Sequence, residues 1–464
     1  MKGSEKMDEF KRKYIGPRSF YKKVCKISIP IACQQILNQA AGFVDTIMVS
    51  KINGVGAVAV ATQLDTMMMN VGFGINSGAG IYAAQYYGAK DYKSLRKVFG
   101  LKIILNMFNA IVFMSVAFLF GRQVLIFYSP DLEVVEIGMN YLQISCLAYV
   151  FSSLTNTYSF IYRAIHKTHI PMYIGMMVMA INVMLNYVFI FGHLGAPKMG
   201  VAGAALATLI ATVVGCLTHI IYAFKTGQPF LGTFKEMFWQ NKDFVFPVVS
   251  RMLPLICNEA LFGFGMSLYV KAYGMVGKNA LEIYKIGNTV ANFFFIFSIG
   301  LNSATGLIFG NQLGKKDLEG AKQYGRYFEL MAAIFAVVAG VAIIVFASPL
   351  VSLFGLQDPI VHDGAIVIVR LFAIRIAFRM FNVIIMSSLR AGGDSLFLMF
   401  LDGGIMLCVG IPLAFIAVGV FHVTNIALLF IIIQIEQLVR LVVGMIRYKK
   451  GYWIRNLTEE AKVS

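Results

Sequence analysis

Apolar positions along this chain come in long blocks rather than in alternation. From Ile27 onward, stretches of about 20 residues with few charges recur, each long enough to cross ~30 Å of hydrocarbon at ~1.5 Å per residue. The alternating segments of about 10 residues that mark a membrane barrel are absent. The blocks predict twelve helical spans at about 27–50, 56–87, 98–120, 134–162, 170–192, 201–224, 247–272, 281–312, 325–347, 361–389, 396–420 and 423–446. The fold class this implies is an all-α polytopic membrane protein.

The blocks also repeat. "GFGINSGAGIYAAQYYGAKD" (72–91) lines up with "SIGLNSATGLIFGNQLGKKD" (298–317) at an offset of 226. "YRAIHKT" (162–168) lines up with "LRAGGDS" (389–395) at 227, and Pro30 with Pro254 at 224. Each half holds six spans, an even number, so both halves enter the bilayer in the same orientation. The expectation is two six-helix lobes related by a pseudo-two-fold along the membrane normal, the parallel-repeat class of secondary transporter. The divisions expected are a cytoplasmic leader (1–26), a first lobe (27–224), a cytoplasmic linker (225–246), a second lobe (247–446) and a cytoplasmic tail (447–464). Two such lobes can rock about a central cleft and expose one site alternately to each side.

Composition agrees with the patterning: 58% of the 464 residues are hydrophobic and 14% charged, far from soluble domains. The formal net charge of +17 raises the question of nucleic acid, and the placement of the charges answers it. Lys and Arg gather in the leader, in "GAKDYKSLRK", between Lys225 and Arg251, in "GKKDLEGAKQYGR" and in "RYKKGYWIR". The alternate loops hold isolated cations such as Lys51, Arg122, Lys198 and Lys278. This asymmetry follows the positive-inside rule, with both termini cytoplasmic in a multi-pass inner (plasma) membrane protein. The basic excess then meets anionic lipid headgroups, and no nucleic-acid partner is expected. The leader is too long and too charged before its first span to read as a cleaved signal peptide.

Other chemistries find no foothold. The six cysteines are scattered, with no CxxC pair. "GNQLGKK" has the wrong spacing for a phosphate-binding loop and lacks its hydroxyl, so ATP is not the expected energy source. The six histidines show no HExxH spacing, and no Ser/His/Asp set stands out. Neither an enzyme nor a cofactor is expected.

What remains is a handful of polar residues inside spans. Asp45 lies in "GFVDTIMVS", and an ionised carboxylate at mid-span costs about 2.5–3.5 kcal/mol. No cation shares that span, which favours work on an ion over a carboxylate that points into a wet vestibule or pairs with an Arg or Lys. Asn182 and Asn186 lie one turn apart on one face of the fifth span, and Thr208 follows a Gly-rich turn into the sixth. Glu259 in the seventh span either faces a cleft or pairs with Arg375 or Arg379 of the tenth. Asp402, early in the eleventh span, joins Glu259 and Arg379 as a candidate cleft residue, and Asp65 is left without a role. Glu282 and Lys285 at i, i+3 read as a local pair. The 25 Met and 39 Phe mostly pack or face lipid, while a minority, as in "LDTMMMNVGFG", suits an adaptable cleft for organic cations.

Several stretches together resemble MATE, the multidrug and toxic compound extrusion transporters, over essentially the whole chain. They are "VDTIMVSKINGVGAVAVA", "AQYYGAKD", "NVMLNYVFIFGHLGAPKMGVAGAALAT", "PLICNEALFGFG", and "LRAGGDS" with "IPLAF". The nearest likeness is to the bacterial NorM/MepA-like branch. The resemblance implies a monomeric antiporter that exports amphipathic, often cationic organic compounds in exchange for inward H+ or Na+. It makes Asp45 a coupling-ion carboxylate and places Asn182, Asn186 and Thr208 around it. Neutral oxygens around one carboxylate suit a monovalent cation, including Na+, or a held proton. The DinF-like branch has an acid where this chain has Asn186. The NorM-like branch binds cations with an acid at the position of Glu259 and has another acid where Arg379 stands here. That departure makes a Glu259–Arg379 pair the expectation for the second lobe. The alternative function is a flippase for a lipid-linked or polysaccharide precursor, which Arg370, Arg375 and Arg379 keep open and Asp45 and Glu259 oppose.

Overall fold

The computed structural model describes residues 13–50, 55–128, 132–354, 358–455 and 457. The first twelve residues of the expected leader, the loop cation Lys51, the side chain of Lys278 and the end of the expected tail lie outside that set. Among the described residues every regular element is helical. The first rods are α1 (Arg18–Ser50), α2 (Val55–Gly88), α3 (Tyr92–Tyr128), the pair α4 (Leu132–Ser145) and α5 (Ala148–Ala164), α6 (His169–Phe191) and α7 (Val201–Lys225). After the short α8 (Phe234–Phe238) come α9 (Lys242–Val276), α10 (Lys278–Gly314), α11 (Leu318–Ser352) and α12 (Pro359–Ala391). The next rod is segmented, from α13 (Ser395–Met399) through two π-helical turns to α14 (Ile411–Gly419), and α15 (Ile426–Lys449) is the last.

These rods correspond to the twelve predicted spans. Eight are long and apolar enough to cross a membrane by themselves, and α4 with α5 makes a ninth, bent by 54°. The other three are α1, α2 and α12, whose polar residues dilute their apolar content. α12 alone carries Arg370, Arg375, Arg379 and Arg390. The fourth span, expected to run unbroken over 134–162, is instead bent at Cys146–Leu147. There the Leu147 N–H bonds to the Ile144 carbonyl and the Tyr149 N–H to that of Cys146, both at 3.2 Å. Such i→i−3 bonds tighten a helical turn and change its direction.

The duplication seen in the sequence reappears in backbone detail. Lys90 and Lys316, equivalent in the repeat, both adopt left-handed conformations, at φ 59° and 64°. In each case the next residue's N–H reaches back to the helix before it, Asp91 to the Tyr86 carbonyl at 2.9 Å and Asp317 to that of Gln312 at 3.1 Å. This is the six-residue closure of a Schellman turn, which satisfies a carbonyl at the helix end. The same aspartates then cap the following helix, accepting from the N–H of Ser94 at 3.1 Å and of Gly320 at 2.9 Å. The second repeated motif behaves alike: His166 and Gly393 both have positive φ, at 61° and 77°. Their successors Lys167 and Asp394 bond back to Tyr162 at 2.8 Å and Leu389 at 3.0 Å.

The chain divides into two compact units. The N-terminal unit is 29–256, and the C-terminal unit is 257–464 together with the residues before Ile29. Each unit therefore changes over within a long helix, α1 at Ser28–Ile29 and α9 at Ile256–Cys257, close to the repeat-related Pro30 and Pro254.

Within the N-terminal unit the connection after α7 is held against the start of α3. Thr233 and Glu236 form a capping box at the head of α8: Thr233 Oγ1 accepts the Glu236 N–H, and Glu236 Oε2 accepts the Thr233 N–H. Arg96 on α3 lies 3.2 Å from the Glu236 carboxylate, and Gln240 Nε2 donates to the Lys97 carbonyl at 2.7 Å. The Thr233 N–H and then Arg96 hold the Glu236 carboxyl below its usual range. The contact needs a residue without Cβ at Gly100, where an added Cβ would lie 2.0 Å from the Met237 carbonyl oxygen. Gly100→Val is expected to push α8 off α3 and cost about 1–3 kcal/mol, the usual range for overpacking. Thermal unfolding and hydrogen exchange of 233–240 check this, and unchanged protection there would remove the contact.

Candidate functional site

In the N-terminal unit three helices bring together the residues expected around Asp45. Asn186 on α6 donates from Nδ2 to Asp45 Oδ1 at 2.5 Å and to Asn182 Oδ1, one turn away, at 3.1 Å. Asn182 Nδ2 donates to Thr208 Oγ1 on α7 at 3.2 Å, and Thr208 donates to the Ala204 carbonyl at 3.0 Å. Four polar residues thus form one chain of hydrogen bonds, ordered by the i, i+4 spacing of α6 and the close approach of α6 to α7. That approach relies on glycine: a Cβ on Gly203 would lie 2.6 Å from the Phe189 carbonyl oxygen. Asn186 is fully buried, and its Oδ1 has no hydrogen-bond partner. The site consists of a carboxylate, one amide donor that compensates it, and one free acceptor, with no arginine or lysine among its hydrogen bonds. It can hold a cation whose charge cancels that of Asp45.

The unit contains two further features for which the sequence suggested no function. Asp65 on α2 lies near Tyr149 on α5, and the buried Asp65 Oδ1 and Tyr149 hydroxyl are both without a hydrogen-bond partner. Lys102 on α3 is fully buried with its ammonium unpartnered, 5.6 Å from the centre of the Phe160 ring. Arg163 sits 4.9 Å from the same ring and donates to Gln34 Oε1 at 2.6 Å.

The C-terminal unit treats its acids differently. Asp402 lies in the π-helical turn Phe400–Gly404, followed by a second at Met406–Gly410. Pro412 has no N–H to continue the regular ladder, which favours irregular winding before it. Side chains take up the backbone groups this frees: Asn258 Oδ1 accepts the Gly403 N–H at 3.1 Å, and Arg440 Nη2 donates to the Asp402 carbonyl at 3.0 Å. Arg440 Nη1 lies 2.6 Å from Asp402 Oδ1, Asn258 donates to Asp402 Oδ2 at 3.1 Å, and Arg440 also bonds to Glu436 one turn earlier on α15. Tyr269 donates to the other oxygen of Glu436 at 2.6 Å. Arg440 and Glu436 are 5% and 2% exposed, so this is a buried ion triad.

Glu259 and Arg379 do not pair as expected. Glu259 lies 3.8 Å from Arg390, three turns further along α12 than Arg379. Arg379 instead donates to Ser298 Oγ at 2.9 Å and stacks 4.6 Å from the Phe295 ring of α10. The reason is geometric: both arginines share α12, and the one level with Glu259 is Arg390. Sequence reasoning also missed Glu436 and Arg440, although a Glu and an Arg at i, i+4 inside "IIIQIEQLVRLVVG" were a visible signal.

Comparison with known proteins places these sites in context. The MatE family model matches residues 30–188 and 254–416, which covers both repeats. An uncharacterised transporter YisQ of Bacillus subtilis is 25% identical over 92% of this chain and 93% of its own length. A probable multidrug resistance protein NorM of Thermotoga maritima is 23% identical over 86% of each chain. A solved structure described as MATE in the bent conformation shares the fold, with a TM-score of 0.86 at 18% identity over 96% of this chain and 97% of that one.

The triad yields a stability prediction. Arg440→Met strands two buried carboxylates and is expected to cost about 3–5 kcal/mol. Adding Asp402→Asn and Glu436→Gln removes the stranded charges and is expected to recover most of that loss. Thermal unfolding in detergent checks both, and a triple variant no more stable than Arg440→Met would contradict the pairing.

Proposed function

We propose, from the premise that this chain belongs to the MatE family of multi-pass membrane transporters, that it is a secondary active multidrug exporter. It would expel amphipathic, largely cationic organic compounds in exchange for inward protons bound at Asp45. The observation that carries this reading is the Asp45–Asn186 hydrogen bond, in which a half-buried acid meets only a neutral partner. A carboxylate left ionised at mid-span costs about 2.5–3.5 kcal/mol, and an amide offsets only part of that. The acid is therefore poised to take up a cation whenever one has access to it. A proton suits the surroundings better than Na+. Asn182 Oδ1 and Thr208 Oγ1 are already engaged in hydrogen bonds, and the one free acceptor, Asn186 Oδ1, can receive the O–H of a protonated Asp45. On the substrate side, Met67, Met69 and Phe73 are exposed on α2, and soft or aromatic groups accept organic cations of varied shape. The cell inner membrane, cytoplasmic termini and a monomeric state belong to the same proposal.

A second reading rests on the buried Lys102 and the half-buried Arg163, neither with a carboxylate partner among the described residues. Two such cations suit an anionic cargo, as in the flipping of a phosphate-bearing lipid. An assay of lipid flipping beside one of cation efflux distinguishes the two.

The main test is transport by purified protein in proteoliposomes, with H+ and Na+ gradients imposed separately. Efflux of ethidium should follow the pH gradient and not the Na+ gradient. Asp45→Asn should abolish it while membrane insertion persists. Transport driven by Na+ with no pH gradient would replace the proton by Na+, and full activity in Asp45→Asn would remove the acid from coupling. Asn186→Leu takes away a charge-assisted hydrogen bond worth about 1.5–3 kcal/mol, so efflux should fall about tenfold or more. Wild-type rates in that variant would sever the amide from the site.

A further inference from the structure

One half-buried acid of the N-terminal unit, Asp65, has no part in the coupling site, and its surroundings differ from those of every other acid described above. We propose that Asp65 and Tyr149 form a second proton-binding site, so that two protons, not one, enter for each monovalent organic cation expelled. This rests on the coupling role given to Asp45.

Asp65 stands on α2 among Ala61, Leu64 and Met68, members of a continuous apolar cluster. It makes no ion pair among the described residues, unlike Asp402, and no amide compensates it, unlike Asp45. A carboxylate so placed cannot remain uncompensated, so it binds either a metal cation or a proton. The titratable groups near Asp65 are Tyr141 from α4, Cys146 at the bend and Tyr149 from α5. The cluster's other helices contribute apolar residues, among them Ala110 and Ala117 from α3 and Ala204 and Ala205 from α7. Phenols and a thiol are poor ligands for a hard cation. They do serve both states of a proton. A protonated Asp65 donates its O–H to the Tyr149 oxygen, and the phenol O–H donates to the carboxylate once that proton leaves. Only the O–H bond of the acid is made and broken.

The two acids also share surroundings. Tyr141 lies within electrostatic reach of both Asp65 and Asp45. Its apolar cluster extends to Val49, one turn past Asp45, and to Ile190, one turn past Asn186. Tyr141 and this apolar cluster thus lie between the surroundings of the two acids.

A second proton changes what drives export. Exchanging one proton for one monovalent cation moves no net charge, so membrane voltage does not drive it. Exchanging two makes it electrogenic.

The experiment uses the full chain in proteoliposomes with tetraphenylphosphonium as cargo, under a valinomycin-set potential and a fixed pH gradient. Wild type is expected to respond to voltage with a proton-to-cation ratio of two. Asp65→Asn should keep exchange driven by the pH gradient but lose the voltage response, with a ratio of one. A variant that keeps the wild-type ratio and voltage response overturns the proposal. Infrared difference spectra across a pH step give a readout independent of transport. Asp65→Asn should remove one protonated-carboxyl band and Asp45→Asn another. Absence of the first loss refutes the site at Asp65, whereas absence of the second refutes the coupling role of Asp45. Should Asp65→Asn fail to fold, Tyr149→Phe must shift the Asp65 band, and an unmoved band also overturns the proposal.

Discussion

Charge inside an apolar medium has to be cancelled, and the means of cancelling it separates the two halves of this duplicated chain. In the N-terminal unit Asp45 is met by a neutral amide, Asn186, at 2.5 Å. In the C-terminal unit Asp402 and Glu436 are met by Arg440, and Glu259 has Arg390 3.8 Å away. A guanidinium cancels an acid permanently, because it stays protonated under all ordinary conditions. An amide does not, and it leaves the charge of an ionised Asp45 uncancelled. The two units of one duplicated chain thus differ: Asp45 has only a neutral amide beside it, whereas the acids of the C-terminal unit have arginine.

The fixed charge supports an irregular backbone. The π-helical turns from Phe400 to Gly410 leave backbone groups outside the regular ladder, and in a bilayer such groups need internal partners. Asn258 takes the Gly403 N–H, and Arg440 takes the Asp402 carbonyl. The same two side chains also bind the Asp402 carboxylate, so charge pairing and backbone satisfaction are one network. This is the reason to expect a large stability effect at Arg440 rather than an effect on ion selectivity.

Much of this architecture was legible in the residues. Blocks of apolar sequence specify spans because the bilayer leaves the backbone few other options. The repeated "GAKD" and "GKKD" specify turns because an Asp can cap the following helix once the Lys before it turns left-handed. Asn182, Asn186 and Thr208 were findable because i, i+4 spacing on α6 and a glycine-permitted approach to α7 leave little freedom in where they meet. Other features were not legible. The bend at Cys146–Leu147 has no proline or glycine to announce it, and depends on two i→i−3 bonds formed by tertiary packing. The partner of Glu259 depends on the relative height of α9 and α12, which sequence spacing along either helix cannot supply.

The division of labour between the units bears on energetics. If Asp45 is the sole mobile site, exchange of one proton for a monovalent drug leaves the membrane potential unused, a loss of about 2.3 kcal/mol per 100 mV. A tenfold pH gradient alone then supplies about 1.4 kcal/mol. The triad around Arg440 cannot contribute a second proton without stranding a guanidinium among apolar side chains. Any additional mobile charge must come from an acid whose compensation is neither permanent nor an amide. Asp65 meets this condition, with phenols and a thiol as the titratable groups around it.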